Sequence, residues 1–378
     1  MTRDEVRDAI REAARAGTTL RIAGRGMWLD AGRPVQATRT LSLASHSGVV
    51  QYEPGDFTLT ARAGTTLEEL ARATLPHRQI LALDPYGEAS GTLGATVATG
   101  ASGPMAHAFG APRDNVIGLE VVTGDGSVVR PGGRVVKNVA GFDLTRLFTG
   151  SWGTLGAITE VSVRLRALPA VDETFAMPVD DRLEALAGLV RGLRGASIAP
   201  FALELLGARA AAILSLGTQP MLLVRVGGNM ASVRAQRDVL ARLGPLQPAE
   251  ASVWRALRSI EPRDAMVARL SSLPSRIANV WEEARIATSG VDDALLVASI
   301  GRGIVRAIVP GGNADVARKI ARVRSGQSAA TVIFERLPAA LWSELAQSPA
   351  RDRLSRGVKE RFDPSRVLKP GILGEEAR

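Results

Sequence analysis

Glycine recurs in this chain wherever a main chain would have to pass close to a ligand. Residues 91–103 read GTLGATVATGASG, residues 150–156 read GSWGTLG, and Gly24-Arg25-Gly26 forms an earlier, shorter cluster. Glycine reaches left-handed backbone conformations and admits close approach, at a cost in conformational entropy. Successive N–H groups in such turns make concavities suited to an anion such as a diphosphate. The alternative is a β-rich domain with ordinary tight turns. Small residues rather than Asn-Gly or Asp-Gly hairpin pairs accompany most of these glycines, which favours the ligand.

Side chains able to move protons are few. The chain has three histidines, His46, His77 and His107, and no cysteine. His107 lies in the glycine-rich region and can be read either as a group approaching a bound ligand or as a loop histidine satisfied by backbone. Lys137 reads as a charge neutraliser or as half of a salt bridge, and Asp143 as the cap of a short helix. Trp152 packs on a ligand or fills core. The cysteine-free sequence has no disulfide, thiol nucleophile or cysteine-ligated metal centre.

The net charge of +9 does not make this a nucleic-acid-binding sequence. The arginines are scattered among acids, as in RDRLSRGVKERFDPSR, and aromatic residues are only 4% of the chain, too few for stacking platforms. A solvated surface or an acidic partner subunit accounts for the excess. Apolar content of 46% with 22% charged residues is that of a globular protein, and 378 residues suit two domains. No apolar run is long enough for a membrane span, and the charged first 17 residues lack the apolar core of a signal peptide, so a cytoplasmic location is expected.

Several elements must position the glycine turns. Residues 3–16 predict an amphipathic helix with Thr2 and Glu5 as a capping box and Gly17 as its stop. Residues 19–23 predict a strand leading into Gly24. The GxG there is not a dinucleotide fingerprint, because Leu29 stands where the third glycine belongs. An alternating strand ends at Gly64, with Thr65 as cap of a helix over 66–73, and residues 116–122 and 127–129 predict a hairpin around Gly124-Asp125-Gly126. Beyond residue 170 short strands alternate with helices, the last group as β-β-α-β, which suggests a ferredoxin-like sheet. Residues 251–287 read as mostly helical, broken by Pro262 and Pro274.

KNVAGFDL (137–144) followed by GSWGTLG resembles the vanillyl-alcohol oxidase family with its PCMH-type FAD-binding domain, and within it the FAD-binding subunits of bacterial glycolate oxidases. The resemblance runs from about residue 20 to 169 and returns in FDP (362–364) and KPG (369–371) near the C-terminus. It implies an α+β fold with a two-part FAD domain over 1–169, a cap over 170–345 and a segment over 346–378 that rejoins the FAD domain. The cofactor contacts it implies begin with Gly24, Arg25, Gly26 and Met27. They continue with Gly91, Thr92, Leu93 and Gly94, then Ala98 and Thr99, then Ser102 and Gly103. Asn138, Gly141 and Asp143 follow in the signature, and Gly150, Ser151, Gly153, Thr154, Gly156 and Ile158 complete the set.

The histidine to which relatives attach FAD covalently has no counterpart in residues 24–28, so FAD is expected to be non-covalent. The larger catalytic subunits of the family carry metal-binding histidines in the cap, whereas here all three histidines precede residue 170. The resemblance therefore implies the smaller FAD subunit of a complex oxidising a 2-hydroxy acid such as glycolate or D-lactate. Its partners would be a larger FAD-binding catalytic subunit and an iron–sulfur subunit, through which it would associate with the inner face of a membrane. A self-sufficient dehydrogenase and a structural subunit with a vestigial flavin site stand as alternatives. The sequence names no catalytic residue and no metal ligand.

Overall fold

The computed structural model describes residues 1–133, 143–323, 330–346, 348 and 352–374. Two compact units emerge. The first comprises residues 1–103, 109–168 and 347–378, and the second residues 104–108 and 169–346. Among the described residues no helix is long and apolar enough to cross a membrane.

The first unit opens with the helix Arg3–Ala16, capped at both ends as expected: Thr2 and Glu5 form the capping box, and Gly17 takes the left-handed conformation at φ 64°. Val6, Ile10 and Ala13 bury its apolar stripe against Leu20, Leu41, Val367 and Leu368. Strands β1 (Leu20–Ala23) and β2 (Arg39–Ser42) pair in parallel, and Leu368 of the C-terminal segment bridges to Leu20 on the other side. The larger sheet takes β3 (Val49–Glu53), β4 (Thr58–Arg62), β6 (Val116–Thr123), β7 (Val128–Val129) and β8 (Gly156–Arg164) in the antiparallel order β3-β4-β8-β6-β7. Between these lies β5 (Gln79–Ile80), which pairs with β9 (Arg166–Ala167).

The helix after β4 starts one residue later than the sequence predicted. Thr66, not Thr65, is the N-cap of Leu67–Thr74, and it forms a capping box with Glu69. Thr65 instead ties Gly48 through its hydroxyl, accepting from the Gly48 amide at 2.9 Å. Thr66→Ala should cost about 1 kcal/mol, read as a lowered urea midpoint at unchanged slope.

The second unit is built on one antiparallel sheet. Its strands are β10 (Val171–Pro178), β11 (Ala202–Leu206), β12 (Met221–Gly228), β13 (Gln247–Ala249), β14 (Met266–Ser271), β15 (Leu295–Ser299), β16 (Ile304–Val309) and β17 (Thr331–Arg336). The order β13-β10-β12-β11-β15-β16-β14-β17 resolves into two halves. Each half alternates strand, helix, two strands, helix, strand, and places its fourth strand beside its first and its third beside its second. Both halves are thus ferredoxin-like, joined where β11 pairs with β15. Helices Leu183–Gly195, Met230–Ala241, Ile277–Ala287 and Ala314–Arg322 contribute to one core, while Val253–Arg258 packs in a second.

One prediction fails here. Within the stretch read as helical, residues 266–271 are β14. Met266, Ala268 and Leu270 enter one core and Val267 the other, while Arg269 and Ser271 are half-buried, so apolar and polar residues alternate only over 268–271. A short run of that kind cannot be told from a buried helix by its period.

Candidate FAD-binding cleft

The strand β1 leads straight into the turn 24–29, and the turn opens on a cleft in the first unit. Apolar walls come from Ile22, Leu43, Ile158 and Trp152, and the rim carries Met27, Trp28 and Leu29. Leu29 donates to the Gly26 carbonyl and Ala31 to that of Trp28, and Arg21 reaches over the turn to the Leu29 carbonyl at 3.1 Å. The amides of Arg25, Gly26, Met27 and Trp28 have no hydrogen-bond partner among the described residues. Successive unpartnered N–H groups in a turn beside a cleft are the means by which a backbone receives an anion, and the apolar walls suit planar rings. The residues present therefore fit a flavin dinucleotide.

The cleft collects Gly24, Gly26, Met27, Thr92, Gly94, Ala98, Thr99, Gly153, Gly156 and Ile158 from the sequence candidates. The short helix Leu93–Thr99, capped by the Thr92 hydroxyl, brings the middle group to the wall. Other candidates lie elsewhere. Arg25 points to solvent and acts electrostatically on Glu69. Leu93 is fully buried in the core of the large sheet. Asp143 is exposed and accepts from the Arg146 amide as N-cap of Leu144–Phe148, the helix-capping role read from the sequence. Ser102 is half-buried, and Gly91 shapes the turn by donating to Glu88 and accepting from Leu67. The Ser151 hydroxyl is buried and has no hydrogen-bond partner among the described residues, while the Ser151 carbonyl accepts from Thr154. Asn138 and Gly141, with Lys137, lie outside the described residues.

The glycines divide into two kinds. A Cβ on Gly103 would fall 1.8 Å from the Asp84 carbonyl oxygen, one on Gly94 2.5 Å from Ala63 Cβ, and one on Gly156 2.5 Å from Val121. These residues let the chain pack on itself. Gly150, at φ 79°, has nothing within 4 Å of its Cβ position, so its conformation alone requires glycine. The sequence reading assigned all of them to a ligand. Close packing also requires glycine at Gly94, Gly103 and Gly156, the first and last of which line the cleft as well.

Lys369 is a cleft residue that sequence reasoning did not select, although it noted the KPG that contains it. Its Nζ lies 5.9 Å from the centroid of the Trp152 ring. Burial, with Arg21 nearby, lowers its pKa to about 8. It arrives from more than 200 residues beyond Trp152, because the C-terminal segment runs alongside β1, Lys369 donating to Leu20 and Leu20 to Val367.

His107 belongs to the second unit. A Cβ on Gly301 would sit 2.1 Å from its Cε1, and its Nδ1 is buried without a hydrogen-bond partner. Burial, helped by Arg302, lowers its pKa, so the imidazole is held neutral. The expectation that no histidine serves the cap is thus corrected. Residues 104–108 precede residue 170 in sequence but pack with the cap strands.

Residues 1–132 match the family described as FAD binding domain, and this part of the chain is such a domain. The chain is 40% identical to glycolate oxidase subunit GlcE of Escherichia coli over 164 residues, 43% of this chain and 46% of that one. It is 33% identical to glycolate oxidase subunit GlcD of Bacillus subtilis over 173 residues, 46% of this chain and 37% of that one. The match therefore spans less than half the length of either relative. The crystal structure of p-cresol methylhydroxylase shares the fold, with a TM-score of 0.78 at 16% identity, covering 99% of this chain and 88% of that one.

Proposed function

We propose that this chain is the FAD-binding subunit of a glycolate-oxidase-like complex. In that complex a small 2-hydroxy acid such as glycolate or D-lactate becomes the 2-oxo acid. The observation that carries the reading is the likeness of its FAD-binding domain to the glycolate oxidase subunits. FAD supplies the two-electron redox chemistry, and this chain's residues bind, orient and shield it. The turn 24–28 contains neither histidine nor cysteine, which agrees with a non-covalent cofactor. The chain's part is to carry electrons towards an iron–sulfur partner, since its 378 residues contain no cysteine for a cluster. A larger FAD-binding subunit holds the substrate base, and the complex works on the cytoplasmic side, with any membrane attachment made through partners.

One observation favours a second reading, a self-sufficient dehydrogenase. His107 in the second unit is a half-buried, neutral imidazole whose Nδ1 has no hydrogen-bond partner among the described residues, the form a general base takes near neutral pH. An anaerobic absorbance titration separates the readings. Under the first, purified chain carries oxidised flavin that bleaches with glycolate or D-lactate only after partner subunits are added. Bleaching of the chain alone, abolished in His107→Gln, would establish the second. Failure to bind or reconstitute flavin would remove both and leave a structural subunit.

A further inference from the structure

We infer that the Lys369 ammonium, presented to the cleft from the C-terminal segment, is the cationic partner of the bound cofactor's diphosphate. The inference rests on the FAD reading of this cleft.

Three observations converge on Lys369. First is its place: it lines the same cleft as Gly24, Gly26, Met27 and Trp28, whose turn leaves successive amides without a partner among the described residues. Second is its backbone. Lys369 holds φ 47°, and Trp152 across from its ammonium holds φ 58°, both in the left-handed region. That region suits Gly or Asn, and side chains held there cluster at ligand sites. A lysine has no backbone advantage at such a position, so its side chain is what the position uses. Third is its surroundings. Leu20 and Gly153 flank it, the Trp152 ring lies 5.9 Å away, and the charge of Arg21 in β1 acts on it. No carboxylate pairs with Lys369 among the described residues. A partly buried ammonium with a second cation nearby is complemented by an anion.

The Nζ donates to a phosphate oxygen, as a point charge with three protons. The diphosphate is anionic whatever the redox state of the flavin, so the contact acts on binding. Without ligand the ammonium loses its proton near pH 8. An adjacent phosphate favours the charged form, so the complex retains the proton to higher pH. Cofactor binding then takes up a proton above pH 8, and affinity falls as pH rises.

The test is fluorescence-quenching titration of the apoprotein with FAD and, separately, with riboflavin, which lacks phosphate, between pH 6.5 and 9.5. For the wild type, FAD affinity should be flat below about pH 8 and fall above it, while riboflavin affinity stays flat. Lys369→Met should weaken FAD roughly tenfold or more at pH 7, as expected for loss of a charge-assisted hydrogen bond, and leave riboflavin unchanged. Lys369→Arg should restore affinity and abolish the break near pH 8, because guanidinium does not titrate there. Equal loss of FAD and riboflavin affinity in Lys369→Met would overturn the diphosphate assignment in favour of a contact with the ring or a packing role. Unchanged FAD affinity would overturn the inference outright. A wild type that binds neither ligand would instead remove the FAD reading on which it rests.

Discussion

Asp363→Ala should cost the first unit about 3–5 kcal/mol, the range for breaking a buried ion pair by removing one partner. The Asp363 side chain is fully buried and Lys359, its partner at 2.6 Å, is only 12% exposed. The carboxylate accepts from the Val367 amide at 3.0 Å and the Leu368 amide at 2.9 Å. Lys359 in turn donates to the carbonyls of Thr154 and Leu368, both at 2.8 Å. One ion pair thus ties the C-terminal segment to the glycine turn 150–156 and to the strand position that presents Lys369. Alanine would leave a buried ammonium and two amides short of an acceptor, and asparagine, which keeps one oxygen, should cost less. Denaturant unfolding read by tryptophan fluorescence measures the loss, and retained FAD should fall with it. A loss below about 1 kcal/mol would mean that the segment is not held by this pair.

Gly94→Ala should cost about 3 kcal/mol and weaken FAD binding by at least tenfold, the upper end for overpacking a tight contact. The new methyl would meet Ala63 Cβ at 2.5 Å, Ala63 oxygen at 2.9 Å and Ala63 Cα at 3.0 Å, two of them backbone atoms that cannot rotate away. Gly94 also donates to the Ala63 carbonyl at 2.8 Å, so the clash lies on a hydrogen bond that fixes the helix Leu93–Thr99 against β4. Both residues line the cleft, and relief by moving the helix changes its wall. Gly150→Ala is the control. It meets nothing within 4 Å and carries only left-handed strain, about 1–2 kcal/mol, so cofactor affinity should change far less. Equal effects of the two substitutions on FAD affinity would contradict the division of the glycines into packing and conformational kinds.

The sequence by itself determined what depends on neighbours along the chain. Thr2, Glu5 and Gly17 set the ends of the first helix because capping is decided within a few residues. The hairpin at Gly124-Asp125-Gly126 and the β-β-α-β run ending at Arg336 were legible for the same reason, whereas FAD as cofactor was read from the resemblance carried by the glycine-rich motifs. Tertiary structure decided what depends on partners far away. Residues 266–271 are a strand because they pair with β16 on one side and β17 on the other, and their alternation over 268–271 is too short to announce it. Gly94 and Gly103 are glycine because of Ala63 and Asp84, and no local pattern distinguishes them from Gly150. His107 joins the second unit and Lys369 the cofactor cleft through contacts made only when distant segments are brought together. Secondary structure answers to short-range hydrogen bonding and periodicity, whereas a binding site's charge depends on which remote side chain the folded chain carries to it.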